Sequence, residues 1–205
     1  MSAPLLSPLG EIATSYAQRG WPVLPLHTPT SRGCSCHQPT CQSIGKHPRT
    51  RRGLRDATTD LDRVTGWWQR WPHANSGIAT GRTSGLVVID IDPDHGGETS
   101  LRRLQHAHPL PRTAQAGSGT GRHLYYTSAE AVPSSIGRLG EGIDVRANGG
   151  YIVAPGSRHA SGRRYRWIIS TAIAPLPEPL AARLTELTQA RTAPDRARSI
   201  TDATT

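Results

Sequence analysis

Apolar residues at helical spacing open the chain. Leu9, Ile12, Ala13, Tyr16 and Ala17 share one face of a 3.6-residue repeat and Gly20 follows, which predicts an amphipathic helix over residues 8–19 with a glycine stop. WPVLPL, residues 21–26, reads as a short strand whose prolines restrict it to an edge or an end. Residues 27–59 have no periodicity and hold all three cysteines. Asp60 reads as an N-cap, and Leu61, Val64, Trp67, Trp68 and Trp71 form a helical stripe closed by Pro72. At that spacing the tryptophans are better read as core than as a base-stacking platform.

GIAT and LVVIDID then predict strands, and residues 97–107 a helix. Short strands follow at TAQA, RHLYYT, GIDVRA, YIVAP and RYRWII, several of them separated by glycine-rich turns. Leu180, Leu184 and Leu187 mark a last helix over residues 178–190, and the polar stretch 192–205 reads as a disordered tail or linker. The layout is α+β, with a mostly strand-built core in one domain over residues 1–191.

Composition adjusts this picture in three ways. With 21 Gly and 17 Pro against 35% hydrophobic residues, much of the chain must be turn and loop. The formal charge of +9 is carried almost wholly by arginine, Lys46 being the only lysine, and a basic surface of this size suits a polyanionic partner. No apolar run approaches the roughly 18–20 residues of a membrane span, and no basic-then-apolar leader opens the sequence, so a cytoplasmic protein is expected.

The cysteines lie in GCSCHQPTCQSIGKHP. Three thiolates and one imidazole make a tetrahedral zinc set, and Cys34, Cys36, Cys41 and His47 are the preferred ligands. His37 competes, although its place directly after Cys36 gives it poor geometry for the same ion. The spacing departs from the usual C-x2-C pair, and three free thiols on a loop is the plainer alternative. A zinc ion would staple a loop, about residues 31–49, that has too little apolar content to fold alone.

Three strands carry ionisable groups opposite an aliphatic face. In LVVIDIDPDHGG, alternation sends Asp90 and Asp92 one way and Val87, Ile89 and Ile91 the other. Asp94, before His and two glycines, reads as turn chemistry. In GRHLYYT, His123 shares a face with Tyr125, and in GIDVRANGG, Asp144 shares a face with Arg146. AGSGTG, residues 116–121, is a glycine-rich turn whose amides can approach a phosphate. Carboxylates converging on one sheet face repel unless cations intervene, and Mg²⁺ or Mn²⁺ takes such oxygen ligands together with substrate phosphate. His123, Arg122 and Arg146 are then candidates to hold triphosphate oxygens. Each item also has an ordinary reading as a turn, a core histidine or an ion pair.

Taken together, GWPVLPL, CSCHQPTC…GKHP, DATTD, WWQRWPHANSGIATG, VVIDIDPDHGG, GSGTGRHLYY and GIDVRANGGYIVAPGSRHASGRRYRW resemble the primase–polymerase (Prim-Pol) domain of the archaeo-eukaryotic primase superfamily over roughly residues 9–170. The variant is the one at the N-terminus of plasmid, phage and actinobacterial replication proteins, often joined to a helicase. The resemblance implies a small α/β N-terminal unit beside a modified RRM-like unit. It implies that Asp90, Asp92 and Asp144 bind catalytic divalent metals and that His123 contacts the triphosphate. The family's serine two residues before that histidine is Gly121 here, which leaves Ser118 as the candidate hydroxyl. Ser157, His159, Arg163, Asn75 and Lys46 are further candidates near nucleotide, template or phosphate. The activity implied is primase or polymerase nucleotidyl transfer on a single-stranded DNA template and primer, using nucleoside triphosphates. An inactive single-strand- or origin-binding module and a metal-dependent nuclease are the alternatives.

Overall fold

The computed structural model describes residues 6–189; the expected tail at 192–205 lies outside the described residues. Helix α1 (Pro8–Gln18) starts at Ser7, whose Oγ accepts from the Gly10 amide and donates to the Pro72 carbonyl. Strand β1 (Val23–Leu26) and a two-stranded ribbon, β2 (Pro29–Thr30) with β3 (Gly33–Cys34), lead through the cysteine loop. Helix α2 (Leu61–Arg70) is capped by Asp60, which accepts from the amides of Asp62 and Arg63 as its sequence position predicts.

Next come β4 (Asn75–Ala79), β5 (Leu86–Ile91) and α3 (Gly97–Ala107). The hairpin β6 (Gln115–Ser118) and β7 (Gly121–Thr127) precedes β8 (Ser135–Ile136), β9 (Ile143–Arg146) and β10 (Tyr151–Val153). The chain ends in β11 (Arg166–Ile169), β12 (Ala174–Pro175) and α4 (Glu178–Gln189). Several predicted limits shift. The TAQA strand starts at Gln115; ahead of it the Thr113 hydroxyl donates to the Tyr125 carbonyl and accepts from the Ala174 amide. GIAT begins earlier, at Asn75, and the two-residue strands β2, β3, β8 and β12 are too short to leave a periodic signal.

Two main sheets form. The larger runs β11-β6-β7-β5-β9-β8, antiparallel throughout, with β12 joining β7 in parallel. The smaller runs β1-β4-β10, so β1 sits at an edge, as its prolines require. Its third strand comes from beyond β9, which ties the N-terminal unit to the rest of the chain.

Strand alternation sorts the cores. Val87, Ile89, Ile91, Leu124, Tyr126, Ile143 and Val145 face α3 and α4, meeting Leu101, Leu104, Leu180 and Leu184. On the other face Val88, Ala116 and Tyr125 meet the N-terminal unit through Ala13, Tyr16, Trp68, Ile78 and Ile152. Helices α1 and α2 approach so closely that a Cβ on Gly10 would lie 2.9 Å from Trp68 Cβ. Trp68 is fully buried and donates its indole N–H to the Ala74 carbonyl, whereas Trp67 is half-buried under Arg63. Trp68→Ala is therefore expected to lower stability by about 3–5 kcal/mol and Trp67→Ala by under about 1.5 kcal/mol, read from urea unfolding midpoints.

Candidate active site

The register of β5 with its two neighbours builds the site. Asp90 is paired across the strands with His123 of β7 on one side and with Asp144 of β9 on the other. Directly opposed residues share a face. The row extends through Ala116 to Trp167 on one side and to the exposed Ile136 on the other. Two residues back along β5, Val88 and Tyr125 lie under the N-terminal unit. The same sheet face is thus core at one end and open at the other. The open end forms one wall of a cavity of about 720 Å³, lined also by Lys46, Asp92, Ser118, Arg146, Tyr151 and His159.

Each carboxylate has a basic neighbour. His123 Nε2 is 3.3 Å from Asp90 Oδ1. Burial alone would raise the Asp90 carboxyl, but the His123 hydrogen bond and charge, with Arg146 and Lys46, hold it below the ordinary value. Asp144 accepts from Arg146 Nη2 at 2.9 Å and from the Gly137 amide. Asp92 accepts from the Asp94 amide and lies 2.8 Å from His95 Nδ1, and that contact raises the His95 pKa. Asp94 itself lies in the short 3-10 turn, Pro93–His95, that Asp92 caps, in agreement with its reading as turn chemistry. His123 is almost wholly buried, and its Nδ1 has no hydrogen-bond partner, a deficit that costs about 1–3 kcal/mol unless a ligand supplies one.

The glycines beside these acids are there for space. The Asp92 amide donates to the Gly142 carbonyl, and the Asp92 carbonyl accepts from the Gly97 amide. A Cβ on Gly97 would lie 2.5 Å from that carbonyl oxygen, so HGG clamps the backbone of the second aspartate. Gly121 packs against the Ile91 carbonyl oxygen and Pro93 Cδ, leaving no room for a side chain. That collision is the physical reason a serine is missing two residues before His123. Ser118, across the hairpin from Gly121, does line the cavity.

The other sequence candidates divide. The structure does not bring Arg122 to the cavity: alternation turns it to the opposite face, where Nη2 donates to Glu98 of α3 at 2.8 Å. Ser157 is fully buried and accepts from the Ser76 amide. Asn75 is also fully buried, and its amide bridges two loops. It donates to the carbonyls of Gly45 and Arg158 and accepts from the Arg158 amide. His159 and Lys46, carried by those two loops, both reach the cavity. Arg163 donates to the Gly119 carbonyl and so fastens the 156–165 loop over the glycine-rich turn. Sequence reading missed His95 and Tyr165; strand alternation gives no signal for either.

In the cysteine loop, donor atoms of Cys34, Cys36, Cys41 and His47 all lie within 4.8 Å of one another, and His37 is outside this group. His47 Nε2 is 3.4 Å from Cys34 Sγ and 3.5 Å from Cys41 Sγ, close to the edge of about 3.5 Å that a zinc tetrahedron of ordinary bond lengths requires. Burial pushes the Cys34 thiol up, but the amides of Gly45 and Cys36 and the side chains of His47 and Cys36 outweigh it and bring it down to about 6. Burial and the neighbouring cysteines push Cys41 up. A charge on Cys34 thus disfavours a second one at Cys41, a conflict that a dication removes. This Cys3His group could bind zinc.

A family model for the N-terminal domain of bifunctional DNA primase/polymerases, Prim-Pol, matches residues 13–179. That span holds both sheets, the cysteine loop and every residue of the cavity, and the chain belongs to the Prim-Pol family. No curated protein matches the chain. No helix among the described residues is long and apolar enough to cross a membrane.

Restoring the family's serine should be harmful here: Gly121→Ser is expected to lower stability by about 1–3 kcal/mol through overpacking. Ser118→Ala should stay within about 0.5 kcal/mol of the native chain. Thermal and urea unfolding of the two variants would separate them.

Proposed function

We propose that this Prim-Pol domain is a divalent-metal-dependent nucleotidyltransferase that extends or starts DNA chains on a single-stranded template during plasmid, phage or mobile-element replication. The observation that carries the reading is the cross-strand row Asp144–Asp90–His123 opening into a cavity of mixed charge. A pure DNA binder gains nothing from acids facing phosphate.

Asp90, Asp92 and Asp144 are the residues that would hold Mg²⁺ or Mn²⁺. They fit that role chemically, offering oxygen donors open to the cavity, and Mg²⁺ is held by a few carboxylates plus substrate phosphates rather than by a closed cage. Held there, such ions would supply Lewis-acid activation of the primer 3′-hydroxyl and charge neutralisation for the departing pyrophosphate. The basic groups now paired with the acids are set beside the same space. His123 and Arg146 bind triphosphate oxygens, and Ser118 with the amides of the glycine-rich turn completes the phosphate seat. The aliphatic core beneath fixes these groups before substrate arrives, so little reorganisation is needed. Zinc in the Cys3His group holds the loop, and the surplus of arginine tracks the template backbone, making binding strongly salt-dependent. A C-terminally fused helicase is the partner such a domain would serve.

Incubation with single-stranded template, primed or unprimed, labelled nucleotides and Mn²⁺ or Mg²⁺ should give extended or new chains. Asp90→Ala combined with Asp144→Ala should abolish synthesis while template affinity is kept or increased. Degradation of the template would favour a nuclease, and binding without synthesis an inactive module. Freshly purified protein should carry about one equivalent of zinc, measured by elemental analysis.

A further inference from the structure

The cysteine loop does more than close on itself, because it delivers the chain's only lysine into the cavity. Lys46 lies between two of the Cys3His residues, five positions after Cys41 and one before His47. Its backbone is fixed from several directions. The Gly45 carbonyl accepts from the buried Asn75 amide group at 2.9 Å, and the Lys46 carbonyl accepts from the Tyr151 hydroxyl at 2.9 Å. The Lys46 amide donates to the Ser43 carbonyl, and the His47 carbonyl accepts from the His27 amide. Gly45 has φ +72°, and a Cβ there would lie 2.5 Å from Pro29 Cδ. The turn that aims Lys46 therefore tolerates no side chain one residue before it.

The side chain contrasts with this rigid base. Lys46 is exposed, and among the described residues no carboxylate comes within ion-pair distance of it. The three basic partners of the site acids, His123, Arg146 and His95, each already contact a carboxylate. Lys46 is the cation left over. Its charge reaches Asp90 of the central strand and His159 of the opposing loop. A compact ammonium with three rotatable donors on a flexible stem suits phosphate oxygens whose positions change during transfer.

We propose that Lys46 binds the triphosphate of the incoming nucleotide and that the Cys3His group is its holder, so that metal occupancy of the loop sets nucleotide affinity in the cleft. This rests on the nucleotidyl-transfer reading. The loop has almost no apolar content of its own. Without a metal, the His47 ring and the three thiols lose their common centre, and the turn at residues 43–47 loses one of its anchors. The remaining anchors are the contacts with Asn75 and Tyr151 and the His27 amide on the His47 carbonyl.

The test measures binding of a nucleoside triphosphate by titration calorimetry in Mg²⁺, with zinc content and thermal unfolding recorded for every sample. Lys46→Gln should weaken binding about ten- to hundred-fold while zinc content and unfolding midpoint stay native, and Lys46→Arg should recover part of the loss. Removing zinc with a thiol-directed chelator should weaken the native chain by a similar factor and leave Lys46→Gln no weaker than before. Should zinc removal unfold the domain, Tyr151→Phe supplies the coupling. It should weaken binding by about threefold or more in the native background and not in Lys46→Gln. Unchanged affinity in Lys46→Gln overturns the Lys46 assignment alone. Equal losses on zinc removal, or on Tyr151→Phe if zinc removal unfolds the domain, in both backgrounds overturn the coupling. A native chain that binds no triphosphate overturns the inference together with the functional reading.

Discussion

The pairing of β5 with β7 and β9 is the constraint on which the site depends. Asp90 meets His123 and Asp144 only in this register. A slip of one residue on any of the three strands would turn its ionisable group into the core facing α3 and α4 and bring Ile89, Leu124 or Val145 out to the cavity. The aliphatic residues of that core therefore set the chemistry indirectly: burying them fixes which side chains remain outside. A charged row is tolerated at the centre of a sheet because each acid has a basic neighbour and an open volume beside it.

The second requirement is closure of the cavity by parts remote in sequence. The cysteine loop supplies Lys46, the loop after β10 supplies His159, and buried Asn75 at the start of β4 bonds to both. Gly119 allows the His159 ring to lie against the glycine-rich turn, where a Cβ would fall 2.5 Å from its Cε1. The walls are thus joined through side-chain amides and close backbone contacts, beside a small apolar cluster of Leu24, Leu26, Leu54, Val153 and Tyr165.

Much of this was legible in the chain. Alternation in LVVIDID and GIDVR placed the acids on one face, and the Asp60 cap and tryptophan stripe fixed α2. Ligand count pointed to the cysteine group, and the structure gathers Cys34, Cys36, Cys41 and His47. Arg122 was open to correction by the same alternation, since it is the immediate neighbour of His123 and must face the other way. Asn75 and Ser157 read as polar candidates near a ligand because sequence alone does not show that their partners are backbone groups more than 80 residues away or across a loop. The reason for Gly121 was equally hidden, because it lies in the carbonyl of a different strand.

The small sheet has a strand from each end of the domain. β4 pairs with β1, which precedes it, and with β10, which follows β5, β7 and β9. During synthesis β4 keeps one unpaired edge until Val153 has emerged, by which time β5, β7 and β9 have all been made. The N-terminal unit therefore cannot settle as an independent module that later receives a finished larger sheet. Its last strand arrives already tethered to Asp144 through a short turn, so the distance between the two halves of the cleft is written into the chain between β9 and β10 rather than left to docking.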